Sequence, residues 1–165
     1  MPDHGRVLYA VKEDHWVFRF EGNIRYTMAH PLDAFIEEVL ARATPSSVIA
    51  DLRDTEAIDS TGIGLLAKIA RVARERNAPR PTLFCENDEV LEVLASVCMD
   101  KVFTIASGEV HFSALRPLPK TNPSTAELAD TIEEAHALLC ELSEDNRSRF
   151  EGVIEAFARL RGSAE

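Results

Sequence analysis

Cysteine is scarce in this sequence of 165 residues, which holds three, Cys85, Cys98 and Cys140, at wide spacings. An odd number of distant cysteines predicts neither a disulfide framework nor a CxxC zinc site. The five histidines are scattered too, without the spacing of a metal-binding pair. We therefore expect reduced thiols, a cytoplasmic location, no metal and no cofactor.

Basic residues are also in deficit, since 18 Lys and Arg stand against 28 Asp and Glu, a formal charge of −10 at pH 7. Nucleic-acid binding draws much of its affinity from cations that contact phosphates, so this balance argues against a nucleic-acid partner. No apolar run approaches the ~20 residues of a membrane-spanning helix, and we expect no membrane partner. An apolar fraction of 45% predicts a globular chain with a buried core.

The spacing of apolar residues predicts an α/β fold. Two runs with a period of two, at 6–13 and 15–21, predict a β-hairpin. Segments with helical spacing then alternate with short apolar runs, at 31–43, 47–52, 63–73, 82–85, 90–97 and 102–105. The predicted order over residues 6–106 is β-β-α-β-α-β-α-β, a mixed sheet covered by helices, in which 53–59 is a polar link.

The remainder of the chain predicts a C-terminal α-helical extension. Residues 107–123 contain three prolines and predict a connector. Ser124 and Glu127 have the spacing of a capping box, and the apolar spacing beyond them predicts a helical hairpin or one long bent helix over 124–163. The apolar stripes of this extension serve either packing within the chain or docking of another protein, and a homodimer through these helices stays open. His136 is expected on an acidic helix face, without a special role.

The segment with the most functional information is Ile58-Asp59-Ser60-Thr61-Gly62-Ile63-Gly64-Leu65-Leu66. It predicts a loop followed by a helix with Ser60 at or just before its first turn, where a hydroxyl can cap free amide groups. The same position suits a phosphate, because the amino end of a helix donates hydrogen bonds and carries partial positive charge. Phosphorylation there would add about −1.5 to −2 units of charge beside Asp59. By spacing alone, an ordinary helix cap is an equal explanation.

This segment resembles the phosphorylation motif of STAS-domain anti-sigma factor antagonists, and the element order over 6–106 resembles the STAS fold. The resemblance implies a non-enzymatic protein of transcription regulation, without a catalytic residue. It implies that a kinase-fold anti-sigma factor phosphorylates Ser60, less favourably Thr61, and that a PP2C-type phosphatase reverses the step. The unmodified antagonist would bind the anti-sigma factor and release a sigma factor. The partner-binding residues carried over are Arg25, Asp59, Ser60, Thr61, Gly62 and Ile63.

Arg25 departs from the family pattern, because many members carry an acidic residue in this loop after Gly22. With the tail segments 134–136 and 146–150, the sequence is similar to a long-chain subgroup with a helical C-terminal extension. That subgroup resembles the antagonist of pseudomonad partner-switching pathways that govern motility and biofilm formation. A second downstream regulator, an anti-sigma factor or a diguanylate cyclase, is then a further implied partner. Arg25 either binds the phosphate or is a solvated loop cation.

Two other classes of protein stay open. The first is a STAS scaffold subunit of a signalling assembly that is not phosphorylated. The second is a hydrolase using Ser60, although the sequence has neither a GxSxG elbow nor a Ser-x-x-Lys motif. Gly62-Ile63-Gly64 resembles part of a nucleotide cradle, but the third glycine and the Walker lysine are missing. We expect a phosphorylatable binding module.

Overall fold

The computed structural model describes residues 5–164, the last four of them by backbone only. The elements in chain order are β1 (Arg6–Lys12), β2 (His15–Ile24), α1 (Ala29–Glu38), β3 (Ser47–Ile58), α2 (Ser60–Glu75), β4 (Thr82–Phe84), α3 (Asp88–Ser96), β5 (Thr104–Ala106), β6 (Arg116–Pro117), α4 (Thr125–Cys140) and α5 (Glu144–Ala164). Short 3-10 turns lie at 26–28, 40–42 and 99–101.

The six strands form one mixed sheet in the order β5-β4-β3-β2-β1-β6. β1 and β2 are antiparallel, and their two-residue turn places Glu13 and Asp14 at φ 52° and 65°, values that match the twist of a tight hairpin. β2, β3, β4 and β5 run parallel and are joined by crossovers that contain α1, α2 and α3. The predicted α/β class and element order are thereby confirmed. The two-residue β6 adds a short strand to the outer edge of β1.

β3 is longer than the sequence pattern predicts. The expected polar link over 53–59 was wrong, because β3 continues to Ile58, which pairs with Ile24 of β2. Two register shifts interrupt this pairing, and the Thr55 hydroxyl donates a hydrogen bond of 2.8 Å to the Phe20 carbonyl. The chain therefore passes directly from the end of β3 through Asp59 into α2.

The C-terminal extension packs against the body of the domain as two helices. The predicted capping box is present at the start of α4, where the Ser124 hydroxyl and the Glu127 side chain each accept the other residue's amide hydrogen. Buried residues of α4, among them Leu138 and Leu139, join the same core cluster as the sheet. At the start of α5, buried Asn146 donates hydrogen bonds of 2.9 Å to the carbonyls of Val97 and Leu139.

Across residues 5–164, no helix combines the length and the apolar character that a membrane span requires.

Candidate functional site

The start of α2 is held by Asp59. Its backbone is extended, and one carboxylate oxygen accepts the Gly62 amide at 2.8 Å. The other oxygen accepts the Tyr26 amide at 2.7 Å, which ties the loop after β2 to the helix. The expectation that the Ser60 hydroxyl caps this helix was wrong, because Asp59 fills that role and Ser60 is the first helical residue.

The Ser60 hydroxyl faces His136 of α4. Oγ and Nε2 are 2.8 Å apart, and Nδ1 lies 2.7 Å from the Ile132 carbonyl oxygen. A carbonyl oxygen only accepts, so Nδ1 carries a proton and donates it to Ile132. In the neutral ring Nε2 then accepts the hydrogen of the Ser60 hydroxyl, and in the imidazolium it donates to the hydroxyl oxygen. His136 is 4% exposed and packs on the Phe150 ring, with ring centres 5.5 Å apart.

The expectation that His136 lies on an acidic helix face was therefore wrong, because its ring is buried against Ser60 and Phe150. Its partner is 76 positions away in the chain, beyond the reach of any local motif. The spacing did contain a signal, because position 136 is four residues after Ile132 and three before Leu139, on the apolar stripe of the helix.

The other predicted site residues divide into two groups. Arg25 is exposed and directly precedes Tyr26, whose amide contacts Asp59. The structure therefore brings Arg25, Asp59 and Ser60 to the carboxyl ends of β2 and β3.

The second group, Thr61, Gly62 and Ile63, is buried beneath that surface. A Cβ on Gly62 would lie 2.9 Å from Cγ1 of Ile58 and 3.1 Å from Cγ2 of Ile24, so close packing against the sheet requires this glycine.

α2 and α4 touch at their backbones one turn beyond Ser60. A Cβ on Gly64 would lie 2.3 Å from the Ala135 carbonyl oxygen and 2.7 Å from the Ala135 Cβ. Two small residues thus allow α4 to lie directly on α2. We call the set Ser60–His136, Gly64–Ala135 and Lys68–Glu134 the α2–α4 contact.

Lys68 completes this contact with a buried positive charge. Its Nζ lies 2.6 Å from Asp33, 2.5 Å from Glu37 and 2.8 Å from Glu134, so it joins α1, α2 and α4. Desolvation by burial opposes the charge, but hydrogen bonds to the three carboxylates outweigh it, and the net effect raises the pKa of Lys68. Asp33, Glu37 and Glu134 lie close enough together to hold a cation, and the Lys68 ammonium group supplies that charge.

The STAS domain family model matches residues 6–111, which is more than half of the chain and reaches from β1 beyond β5. The protein therefore belongs to the STAS domain family. Helices α4 and α5, including His136, lie outside the matched region. No curated protein gave a significant match to the chain.

Solved structures of similar fold include anti-sigma factor antagonists. SpoIIAA in its unphosphorylated form is 20% identical, with a TM-score of 0.54 over 62% of this chain and 86% of that one. The phosphorylated form of SpoIIAA, a cell fate determinant of Bacillus, is 17% identical, with a TM-score of 0.52 over 62% and 89%. An anti-sigma factor antagonist from Mycobacterium paratuberculosis is 20% identical, with a TM-score of 0.51 over 64% and 87%.

Proposed function

We propose that this protein is a non-enzymatic anti-sigma factor antagonist of a cytoplasmic partner-switching pathway, in which phosphorylation of Ser60 controls binding. The observation that carries the proposal is the position of Ser60 as the first residue of α2, in a STAS domain, with its hydroxyl free of the capping role. The similarity in fold to an antagonist solved in phosphorylated and unphosphorylated forms supports it.

The proposed modification is a phosphoryl transfer from ATP. The Ser60 oxygen forms a bond to the terminal phosphorus, the bond between that phosphorus and the bridging oxygen breaks, and ADP leaves. The hydroxyl proton passes to a base of the kinase or to water. A PP2C-type phosphatase reverses the modification by hydrolysis, in which water attacks phosphorus and the serine hydroxyl and inorganic phosphate are released.

The structure gives a physical reason why a phosphate at Ser60 would change binding more than folding. Asp59 already accepts the Gly62 amide, so the helix start is held whether or not Ser60 is modified. The modification adds about −1.5 to −2 charges beside the Asp59 carboxylate. A partner surface fitted to the neutral hydroxyl then loses affinity, and each 1.4 kcal/mol is tenfold.

Arg25 is a candidate for holding the phosphate. It is exposed on the loop that Asp59 ties to α2, and a guanidinium can form two parallel bonds to a phosphate. In this proposal Arg25 and Asp59 frame Ser60 at the partner interface, and Thr61, Gly62 and Ile63 shape it from beneath. The partners are a kinase-fold anti-sigma factor, the phosphatase and a downstream regulator, either an anti-sigma factor or a diguanylate cyclase.

The experiment is incubation of the full chain with a kinase-fold anti-sigma factor, ATP and Mg²⁺, followed by intact-mass analysis and peptide mapping. We expect one phosphoryl group, on Ser60, which is lost in Ser60→Ala and retained in the exposed control Ser148→Ala. In binding assays, Ser60→Ala should keep the affinity of the unmodified chain and Ser60→Asp should lose at least tenfold. Equal affinity of all three chains would contradict the proposed switch.

One observation favours the hydrolase alternative. Ser60 is placed like a nucleophile, His136 like its base, and the Ile132 carbonyl like the group that orients the base. His136 is buried, however, and the cavity of about 400 Å³ beside α2 and α4 is lined by residues such as Arg71 and Lys101 and does not include Ser60. A fluorophosphonate probe separates the two functions. Labelling of Ser60 that disappears in His136→Ala would favour the hydrolase, and we expect none.

A further inference from the structure

The hydroxyl proposed for phosphorylation is hydrogen-bonded to a part of the chain outside the family match. α4 supplies His136 to Ser60, Ala135 to Gly64 and Glu134 to Lys68, so each of three successive turns of α2 meets it. The family match ends at residue 111, and α4 begins at Thr125. The helical extension thus contacts Ser60, which the proposed function assigns to the partner interface.

We propose that α4 is an intramolecular competitor of the kinase for access to Ser60, which contacts Ser60 in the unmodified chain and is displaced when Ser60 is phosphorylated. This inference rests on the proposed function and adds the regulation of its site. A kinase that transfers a phosphoryl group to Ser60 must reach Oγ, and the buried imidazole of His136 occupies one approach to that atom.

The Ser60–His136 contact leaves no space for a phosphoryl group between the two side chains while α4 is docked. Oγ and Nε2 are 2.8 Å apart, so a phosphoryl group cannot lie between them. Accommodating the group on this side of Oγ therefore requires His136, and α4 with it, to move away from α2.

The other two pairs of the α2–α4 contact, Gly64–Ala135 and Lys68–Glu134, respond differently when α4 moves away from α2. Gly64 and Ala135 touch through backbone atoms, so a displacement that a phosphate imposes at Ser60 separates them. Lys68 would keep Asp33 of α1 as a partner when Glu134 withdraws, and its buried charge stays compensated. α4 can therefore leave without stranding the lysine.

The coupling acts in both directions, as any linkage between two binding equilibria must. If phosphate at Ser60 weakens the docking of α4, then weakening the docking of α4 eases phosphorylation of Ser60. The two effects can be measured separately. The effect of negative charge at Ser60 on the docking of α4 can be measured without a kinase.

The first measurement is amide hydrogen exchange of residues 125–140 in the full chain. Ser60→Asp places a bulkier, charged carboxylate at the 2.8 Å contact with Nε2, and we expect exchange of α4 to accelerate at least tenfold over the wild type. Thr27→Asp is the matched control, because it adds the same charge at an exposed position of the neighbouring loop and should leave the rate unchanged. Unchanged exchange in Ser60→Asp, or equal acceleration in Thr27→Asp, would overturn the competitor role and leave phosphorylation of Ser60 itself untouched.

The second measurement is the initial rate of Ser60 phosphorylation by a kinase-fold anti-sigma factor with ATP and Mg²⁺. Ala135→Leu pushes α4 away from Gly64 and should raise the rate at least tenfold, whereas Ala126→Leu, exposed on the same helix, should not. Equal rates in all chains would refute the gating by α4. Absence of phosphorylation in every chain would instead refute the proposed function, and the exchange measurement would still decide the competitor role.

Discussion

The strongest test of how the extension is held is replacement of the buried cation, Lys68→Met. Methionine keeps most of the aliphatic length of the side chain and removes the ammonium group. Lys68 is 4% exposed, and its Nζ contacts carboxylates from three separate helices. The substitution leaves these carboxylates close together without their shared counterion, so we expect the folded state to lose stability and α4 to loosen first.

The size of the effect follows from the exposure of the three acids. Removing one partner of a fully buried ion pair costs about 3–5 kcal/mol. The side chains of Glu37 and Glu134 are 57% and 48% exposed, so water screens much of their charge, and only Asp33, at 17%, is largely desolvated. We therefore expect a loss of about 2 kcal/mol in the free energy of unfolding, below the fully buried range.

The assay is urea unfolding monitored by the fluorescence of the single tryptophan, the buried Trp16. Arg71→Met is the matched control on the same helix, because Arg71 makes exposed ion pairs with Glu75 and Glu141. Exposed pairs contribute roughly 0–1 kcal/mol, so Arg71→Met should change stability little. Equal losses in the two variants would refute the argument that burial makes the Lys68 cluster strong.

The same variant predicts a pH dependence with a definite sign. The pKa of Lys68 is raised above its ordinary value of 10.5, so the stability that its charge contributes is fully present below pH 10.5. It is lost progressively as the pH rises beyond that value. The stability difference between the wild type and Lys68→Met should therefore stay constant from neutral pH to about pH 10 and narrow at higher pH. A difference that widens above pH 10.5 would contradict the upward shift.

Two further substitutions test the start of α2 and its packing. Gly64→Ala places a Cβ 2.3 Å from the Ala135 carbonyl oxygen and should lower the free energy of unfolding, measured by heat or urea, by about 1–3 kcal/mol. Its control is Gly152→Ala, whose Cβ meets nothing within 4 Å and which should raise the free energy of unfolding by roughly 0.5–1 kcal/mol. Asp59→Ala removes the cap from the Gly62 amide and should lower the free energy of unfolding by about 0.5–2 kcal/mol, and unchanged stability would contradict the capping role.

The fold could be predicted from the sequence because its elements have clear periods and clear boundaries. Alternation over 6–13 and 15–21 reflects a hairpin with one well-buried face, and the helical stripes reflect faces that pack on the sheet. The full length of β3 could not be predicted from the spacing of apolar residues. Its second half, with Arg53, Asp54 and Glu56, reads as polar because these side chains lie at the less buried end of the strand, while backbone pairing with β2 continues. Side-chain polarity does not report such pairing.

The site was only partly predictable, for a related reason. Asp59 and Ser60 belong to one local motif, so their place at the start of α2 follows from the chain itself. Contacts made from the extension do not, since neither the Ser60–His136 bond nor the approach of Ala135 to Gly64 leaves a local pattern. The glycine at 64 suggests an open turn when read alone. In the structure it is the point at which two helices touch.

Asp59 and Ser60 have separate roles, which explains how phosphorylation of Ser60 could change binding without disturbing the domain. Asp59 holds the helix start through the Gly62 and Tyr26 amides, and these bonds do not involve the serine hydroxyl. Within residues 5–164, the side-chain partner of that hydroxyl is His136, on α4. A phosphate at Ser60 therefore acts on the contact with α4 and on the outer surface, while the cap and the sheet beneath keep their own bonds. On this reasoning Ser60→Asp should leave the exchange of β2 and β3 amides at the wild-type rate while α4 exchanges faster, and equal acceleration across the sheet would show that the hydroxyl supports the domain as a whole.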